Sequence, residues 1–171
     1  MDPSSVNQNI TIDDFDSVVT YASQSDWSTP NPQLSLPFNQ SNTPWFAGTY
    51  HETTIINASF LFNFDGMHLY LSPIDQCSHH MSVILGPAIY VYGAAGPAYG
   101  SYGIFIDDTS HIASAHASSN VSSYLLYSTT NLTYDNHTLK VINLGAKDGD
   151  NGGNAFLFDY LETTVQLAPA G

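Results

Sequence analysis

The chain has 171 residues, enough for one domain with a buried core. Two Lys and no Arg stand against fifteen acidic residues, a formal net charge of -13, which excludes a nucleic-acid backbone binder and disfavours an anionic membrane surface. Charged residues make up only 10% while aromatics reach 13%, so the chain reads as a folded, aromatic-rich domain with a neutral polar surface, a profile that suits an extracellular β protein.

In chain order, residues 1–8 read as a tail and 9–167 as one domain. Asn9–Asp13 alternates apolar and polar residues, and Ser17–Tyr21 does so less cleanly. Ser28–Asn42 has three prolines and no period, which places a long Pro-rich loop at 28–44. Ala58–Phe64 puts Phe60, Phe62 and Phe64 on one face of a strand. Residues 67–86 break this rhythm and hold the single cysteine, Cys77, with Met67, Met81, His68, His79 and His80. Their removal would join two good strands as a hairpin. They read as an insertion encoded by a retained intron, or else as an ordinary long hairpin loop.

Ala88–Tyr92, Tyr102–Asp107, Ser123–Tyr127, His137–Asn143 and Asn154–Leu161 are further strand-like runs bounded by turn residues. Gly93–Gly100 reads as a tight hairpin connection that needs positive φ, and Lys147–Gly153 as another Gly-rich loop; neither precedes a helix or carries a P-loop Lys-Ser/Thr pair. Residues 168–171 read as a C-terminal tail. About eight or nine short strands without an amphipathic helix predict an all-β fold, an antiparallel β-sandwich of jelly-roll type.

A single cysteine excludes an intrachain disulfide framework and a Cys-based zinc site. Six N-x-Ser/Thr sequons, at Asn9, Asn39, Asn57, Asn120, Asn131 and Asn136, favour a secreted or cell-surface glycoprotein carrying N-glycans. Met1–Ser5 has neither a basic nor an apolar region, so secretion implies that a signal peptide has been removed from this sequence.

Several segments together resemble the galactose-binding-like β-sandwich, the jelly roll of many carbohydrate-binding modules. They are the acidic strand end Ile12-Asp13-Asp14, the Tyr21-Ala-Ser23…Trp27 stretch, Gly48-Thr-Tyr-His51, and a closing pair, His137–Asn143 followed by Phe158-Asp-Tyr-Leu-Glu162. The chain is also similar to ectodomains of fungal, especially basidiomycete, surface proteins. The resemblance implies a carbohydrate partner. It further implies a structural Ca2+ joining the first and last strands, with Asp159 and either Asp13 or Asp14 as ligands, although the Glu usual near the start is absent. The loop Asp148-Gly-Asp150-Asn151 is calcium-like as well but lacks the terminal Glu of an EF-hand.

Sugar binding requires flat aromatic faces beside hydrogen-bonding groups. The candidates are Trp27, Trp45, Tyr50, His51, Tyr99 and Tyr102, with the loop aromatics Trp27, Trp45 and Tyr99 foremost. Catalysis has thin support: Glu52 and Glu162 are the only glutamates, and no Gly-x-Ser-x-Gly elbow occurs. Three functions follow in order: a non-catalytic carbohydrate-binding domain directed at cell-wall glycan, a self-assembling glycoprotein forming homo-oligomers or fibres, and a secreted glycoside hydrolase.

Overall fold

The computed structural model describes residues 6–29, 43–65, 88–130, 132–133, 135–146 and 152–167. Ten strands occur among them: β1 (Val6–Asp13), β2 (Val19–Tyr21), β3 (His51–Thr53), β4 (Ser59–Asp65), β5 (Ile89–Ala95), β6 (Ser101–Ile106), β7 (Thr109–Ser114), β8 (Val121–Thr129), β9 (Asn136–Gly145) and β10 (Phe156–Leu167). Helical turns are confined, among these residues, to the short 3-10 pieces Gln24–Asp26 and Phe46–Gly48. The all-β expectation holds, with two short strands more than the sequence runs. β1 starts at Val6, inside the expected tail.

Two antiparallel sheets face each other. One has the order β1-β10-β5-β8, with β3 also on β10; the other has the order β2-β4-β9-β6-β7. The alternation in the sequence explains the layering. Phe60, Phe62 and Phe64 of β4, Leu139 and Val141 of β9, Ile89 and Val91 of β5, and Phe158 and Leu161 of β10 all turn inward and are buried. Phe60 and Phe158 stack across the two sheets at 4.3 Å between ring centroids. Burial of these side chains is worth about 1.5–3 kcal/mol each and dominates the stability.

Two expected hairpins are not hairpins. β4 and β5 lie in different sheets, so residues 66–87 join the sheets rather than two paired strands. The insertion itself, with Cys77 and the His79-His80 pair, lies outside the described residues, as does the 148–151 loop. β5 and β6 also lie in different sheets, so Gly93–Gly100 is a crossover. Positive φ occurs at Gly48 and Gly145 among the described glycines, so this segment does not use glycine for it. Gly93 is instead required by close approach, since a Cβ there would lie 2.0 Å from the Leu157 carbonyl oxygen. Gly93→Ala is expected to cost at least about 1–3 kcal/mol, because backbone rather than a flexible side chain must yield. Urea unfolding of the variant measures this, and an unchanged midpoint would refute the tight approach.

The β6–β7 turn is a two-residue connection in which Asp107 has φ 49°. That value suits the primed turns that match strand twist. The turn carries the Asp107 carboxylate over the start of β9.

Candidate functional site

Two clusters of polar and aromatic groups flank β3. His51 and Glu52 are neighbours in an extended strand, so they point to opposite faces. His51 turns inward and is buried, while Glu52 turns outward. β10 fixes both through the register His51↔Phe158 and Glu52↔Leu157.

On the outward side, Glu52 shares a hydrogen bond with the Tyr99 side chain. Tyr99 is placed by a bridge to Ala155 just ahead of β10. Tyr50 lies close enough to feel the Glu52 charge, and its ring sits 4.9 Å from that of Trp45. Trp45, Tyr50 and Tyr99 are each half-buried, and Tyr99 packs against the core. Burial, and then the Glu52 charge, pushes the Tyr99 hydroxyl up to about 12, so it stays protonated and can donate. Burial also raises the Glu52 carboxyl, partly offset by the Tyr99 hydrogen bond. Next to Glu52 lies a polar recess of about 190 Å3, lined by Ser25, Asp26, Ser28 and the edge of Trp27. Aromatic faces beside a carboxylate and hydroxyls are the chemistry that holds a polyhydroxylated ring.

Three of the six aromatic or histidine candidates therefore meet in one place, and three do not. Trp27 is only 7% exposed and packs against Tyr21, Phe60 and Phe156. Tyr102 is 1% exposed, and its hydroxyl donates to the Leu126 carbonyl at 2.6 Å. Neither offers a free ring face, because the apolar bodies of these rings fill the space between the sheets. His51 is buried too and serves a different network. Glu52, absent from the sequence-based set, completes the group. Its only sequence signal is its place beside His51 in an extended run.

On the inward side, His51 Nδ1 lies 2.6 Å from Asp14 Oδ2, and Gln24 Nε2 lies 2.9 Å from His51 Nε2. In this arrangement Nδ1 donates to Asp14, and Nε2 accepts from the Gln24 amide. Thr49 Oγ1 donates to the other Asp14 oxygen at 2.6 Å. The Tyr21 hydroxyl donates to the Asp14 carbonyl, and the Tyr21 ring stacks on the imidazole at 4.2 Å. The backbone N–H of Asp14 donates to the Asp159 carbonyl, tying the end of β1 to β10. Asp159 sits at a register shift of β10 and is fully buried. Its Oδ1 accepts from the Phe46 N–H at 2.9 Å, and its Oδ2 has no partner. Burial pushes Asp159 up to about 7, and burial together with the Asp14 charge pushes Asp13 up to about 6. Asp13, Asp14 and Asp159 thus lie near one another where the end of β1 meets β10.

A calcium ion seeks six to eight oxygen ligands. Here both Asp14 oxygens are already engaged by protein donors, and among the described residues Asp159 Oδ2 is the one buried carboxylate oxygen without a partner. No group of three or more His, Cys, Asp or Glu side chains converges to hold a metal among the described residues. The described donor set does not build a calcium cage.

Asn9, Asn57, Asn120 and Asn136 are exposed, as glycosylation would require; Asn39 and Asn131 lie outside the described residues. No helix among the described residues is long and apolar enough to cross a membrane.

No family model matches the chain, and no curated protein matches it in sequence. Solved structures do match. A two-domain esterase active on acetylated mannans, co-crystallised with mannopentaose, is similar over 96% of this chain and 38% of its own, with 12% identity and a TM-score of 0.54. A CBM35 carbohydrate-binding module from Cellvibrio japonicus is similar over 95% of both chains, with 9% identity and a TM-score of 0.51. The Podospora anserina GH26-CBM35 β-(1,4)-mannanase is similar over 95% of this chain and 28% of its own, with 12% identity and a TM-score of 0.50. The chain thus spans well under half of the two enzymes. Its architecture is that of the galactose-binding-like jelly-roll β-sandwich, the fold of the carbohydrate-binding modules.

Proposed function

We propose that this chain is a non-catalytic carbohydrate-binding domain of a secreted or cell-surface glycoprotein, with cell-wall polysaccharide as its ligand. The observation that carries this reading is the meeting of Trp45, Tyr50 and Tyr99 around Glu52 of β3. A sugar ring would lie on the exposed aromatic faces while its hydroxyls bond to Glu52 and the Tyr99 hydroxyl. The fold it shares with carbohydrate-binding modules supports the same reading, and the mannan-directed neighbours make mannan the first probe. Exposed sequons support the secretory route and N-glycans.

Affinity electrophoresis in mannan-containing gels, beside a glycan array, tests this. The expected result is retardation that weakens about tenfold or more in Trp45→Ala and in Glu52→Gln, in line with the loss of one buried aromatic anchor or one charge-assisted hydrogen bond. A folded protein that binds nothing on the array, or one indifferent to both substitutions, would refute it.

A second reading, self-assembly, is favoured by one observation. β7 pairs only with β6 among the described residues and is exposed along nearly its whole length, with Ile112 67% exposed. An open edge is a template for pairing with a second copy. Size-exclusion chromatography separates the readings: oligomers dispersed by Ile112→Lys support assembly, and a monomer at high concentration removes it.

A further inference from the structure

The outer face of the second sheet carries a pocket of about 320 Å3, bordered by Leu61, Phe105, Asp107, Thr138, Lys140 and Ile142. It shares no lining residue with the loop cluster. Strand register builds it directly: Leu61 of β4 is opposite Lys140 of β9, and Lys140 is opposite Phe105 of β6, so the three stand side by side across three strands. Phe105 lies down over Gly103, where a Cβ would be 2.9 Å from the ring. A glycine in a strand interior weakens the strand, and here it makes room for a ring laid on the sheet. The volume is in the range of small-ligand sites.

The charges of this pocket do not cancel. Asp107 accepts from the Thr138 N–H with one oxygen and lies 2.6 Å from His137 Nδ1 with the other. His137 Nε2 lies 2.8 Å from the Thr133 carbonyl oxygen. A carbonyl can only accept, and an ionised carboxylate can only accept, so these partners favour the imidazolium form of His137 and raise its proton affinity. In that form it balances Asp107. Lys140, one of only two Lys in a chain of net charge -13, has no ion-pair partner among the described residues. It is the uncompensated charge of the pocket. The acidic remainder of the protein repels anions at long range, but salt screens that repulsion beyond about 8 Å at physiological ionic strength.

We propose that this pocket is a second binding site, one that takes a sugar ring carrying a single anionic group, carboxylate or sulfate, with the ring on Phe105 and the anion on Lys140. The Thr138 hydroxyl, which donates to Asn63 Oδ1 at 2.9 Å, is left as an acceptor at the rim. The site is independent of the loop cluster and stands or falls separately from it.

The test is two-dimensional NMR of the 15N-labelled full chain titrated with glucuronate, glucose 6-sulfate, methyl glucoside and acetate at 150 mM salt. The expected result is saturable shifts of amides in β4, β6 and β9 with glucuronate or glucose 6-sulfate, the tighter of the two identifying the anionic group. Methyl glucoside and acetate should each bind about tenfold more weakly, since each supplies only half of the contact. Lys140→Met keeps the aliphatic stem and should bring the acidic sugars down to the level of methyl glucoside. Phe105→Leu should weaken every sugar but not acetate. The same spectra report whether each variant is folded, and Lys140→Gln stands in if Lys140→Met is not. Equal affinity for charged and neutral sugars, acetate binding as well as the sugars, shifts confined to the Trp45 and Tyr99 region, or a Lys140 variant that behaves like the parent would each overturn the proposal. Mannan retardation, weakened by Trp45→Ala, reads the loop cluster alone, so failure at one site is distinguishable from failure at the other.

Discussion

Replacement of His51 by Ala is expected to destabilise the domain by about 3–5 kcal/mol, the range seen when one partner of a buried pair is removed. The imidazole has 1% exposure and donates to an Asp14 carboxylate that is itself fully buried. Without it, one Asp14 oxygen loses its donor in a place water does not reach, and the Tyr21 ring loses its stacking partner. The loss should appear as a fall of about 10 °C or more in Tm for a domain of this size. His51→Asn should recover part of it, because an amide at that position can still donate toward Asp14. A His51→Ala variant within about 1 kcal/mol of the parent in urea unfolding would show that the network is not a structural tie.

The second large effect is an acidic optimum of stability. Asp13 and Asp159 hold their protons more tightly in the folded state than in the unfolded one, because burial penalises the carboxylates. Their contribution is full below the ordinary carboxylate range, near pH 4, and is lost as pH rises through about 6 for Asp13 and about 7 for Asp159. His137 acts in the same direction at higher pH. Burial opposes its charge, but hydrogen bonds to Asp107 and Thr133 outweigh that and raise it, so its contribution is present below the usual histidine range and fades above it. Asp107 has the opposite sign. The His137 hydrogen bond lowers it, so its contribution persists above pH 4 and disappears only in stronger acid.

Stability should therefore peak near pH 4–5 and fall by several kcal/mol on going to pH 8, with Asp159 the larger contributor, since each tenfold change in proton affinity is worth about 1.4 kcal/mol. The net charge of -13 predicts a stability sensitive to acid and to calcium if the acidic groups are clustered. Burial of Asp13 and Asp159 sets the direction of the acid sensitivity, because it penalises their ionised forms. Thermal unfolding from pH 4 to 8 with chelator present checks this; a Tm that rises over that range would refute it. Added calcium should leave Tm unchanged at pH 5. A large calcium-induced rise would overturn the conclusion that the described donors form no cage.

The strands legible in the sequence are those with one buried face. Phe60, Phe62 and Phe64 alternate with outward-facing neighbours, and Leu139 and Val141 do the same in β9, so period two is printed in the sequence. β3 was not legible, since His-Glu-Thr has no apolar alternation and becomes a strand only through pairing with β10. β7 was not legible because almost nothing on it is buried. Sheet membership was invisible for a different reason: a run of strand residues does not say which partner it finds, and both misread hairpins fail on this point. In the site, an aromatic beside turn residues reads as a loop platform whether or not it is covered. Trp45, Tyr50 and Tyr99 stay half-exposed, whereas Trp27 and Tyr102 fill the core. Lys140 carried a signal, its rarity, but its meaning depended on the register that sets it between Leu61 and Phe105.

β10 pairs with β1, β3 and β5 at once, with Val6 opposite Leu167 at its far end. During synthesis, the β1, β3 and β5 segments emerge from the ribosome long before the strand that joins them. The first sheet cannot assemble until residues 156–167 are free, and closing the β1–β10 ladder brings together segments some 150 residues apart. Folding of the domain should therefore be slow and wait on its last strand, with apolar strand faces unpaired in the meantime. The adjacency of Val6 and Leu167 also means that a short linker between them would give a circularly permuted chain in which this central strand could be made first.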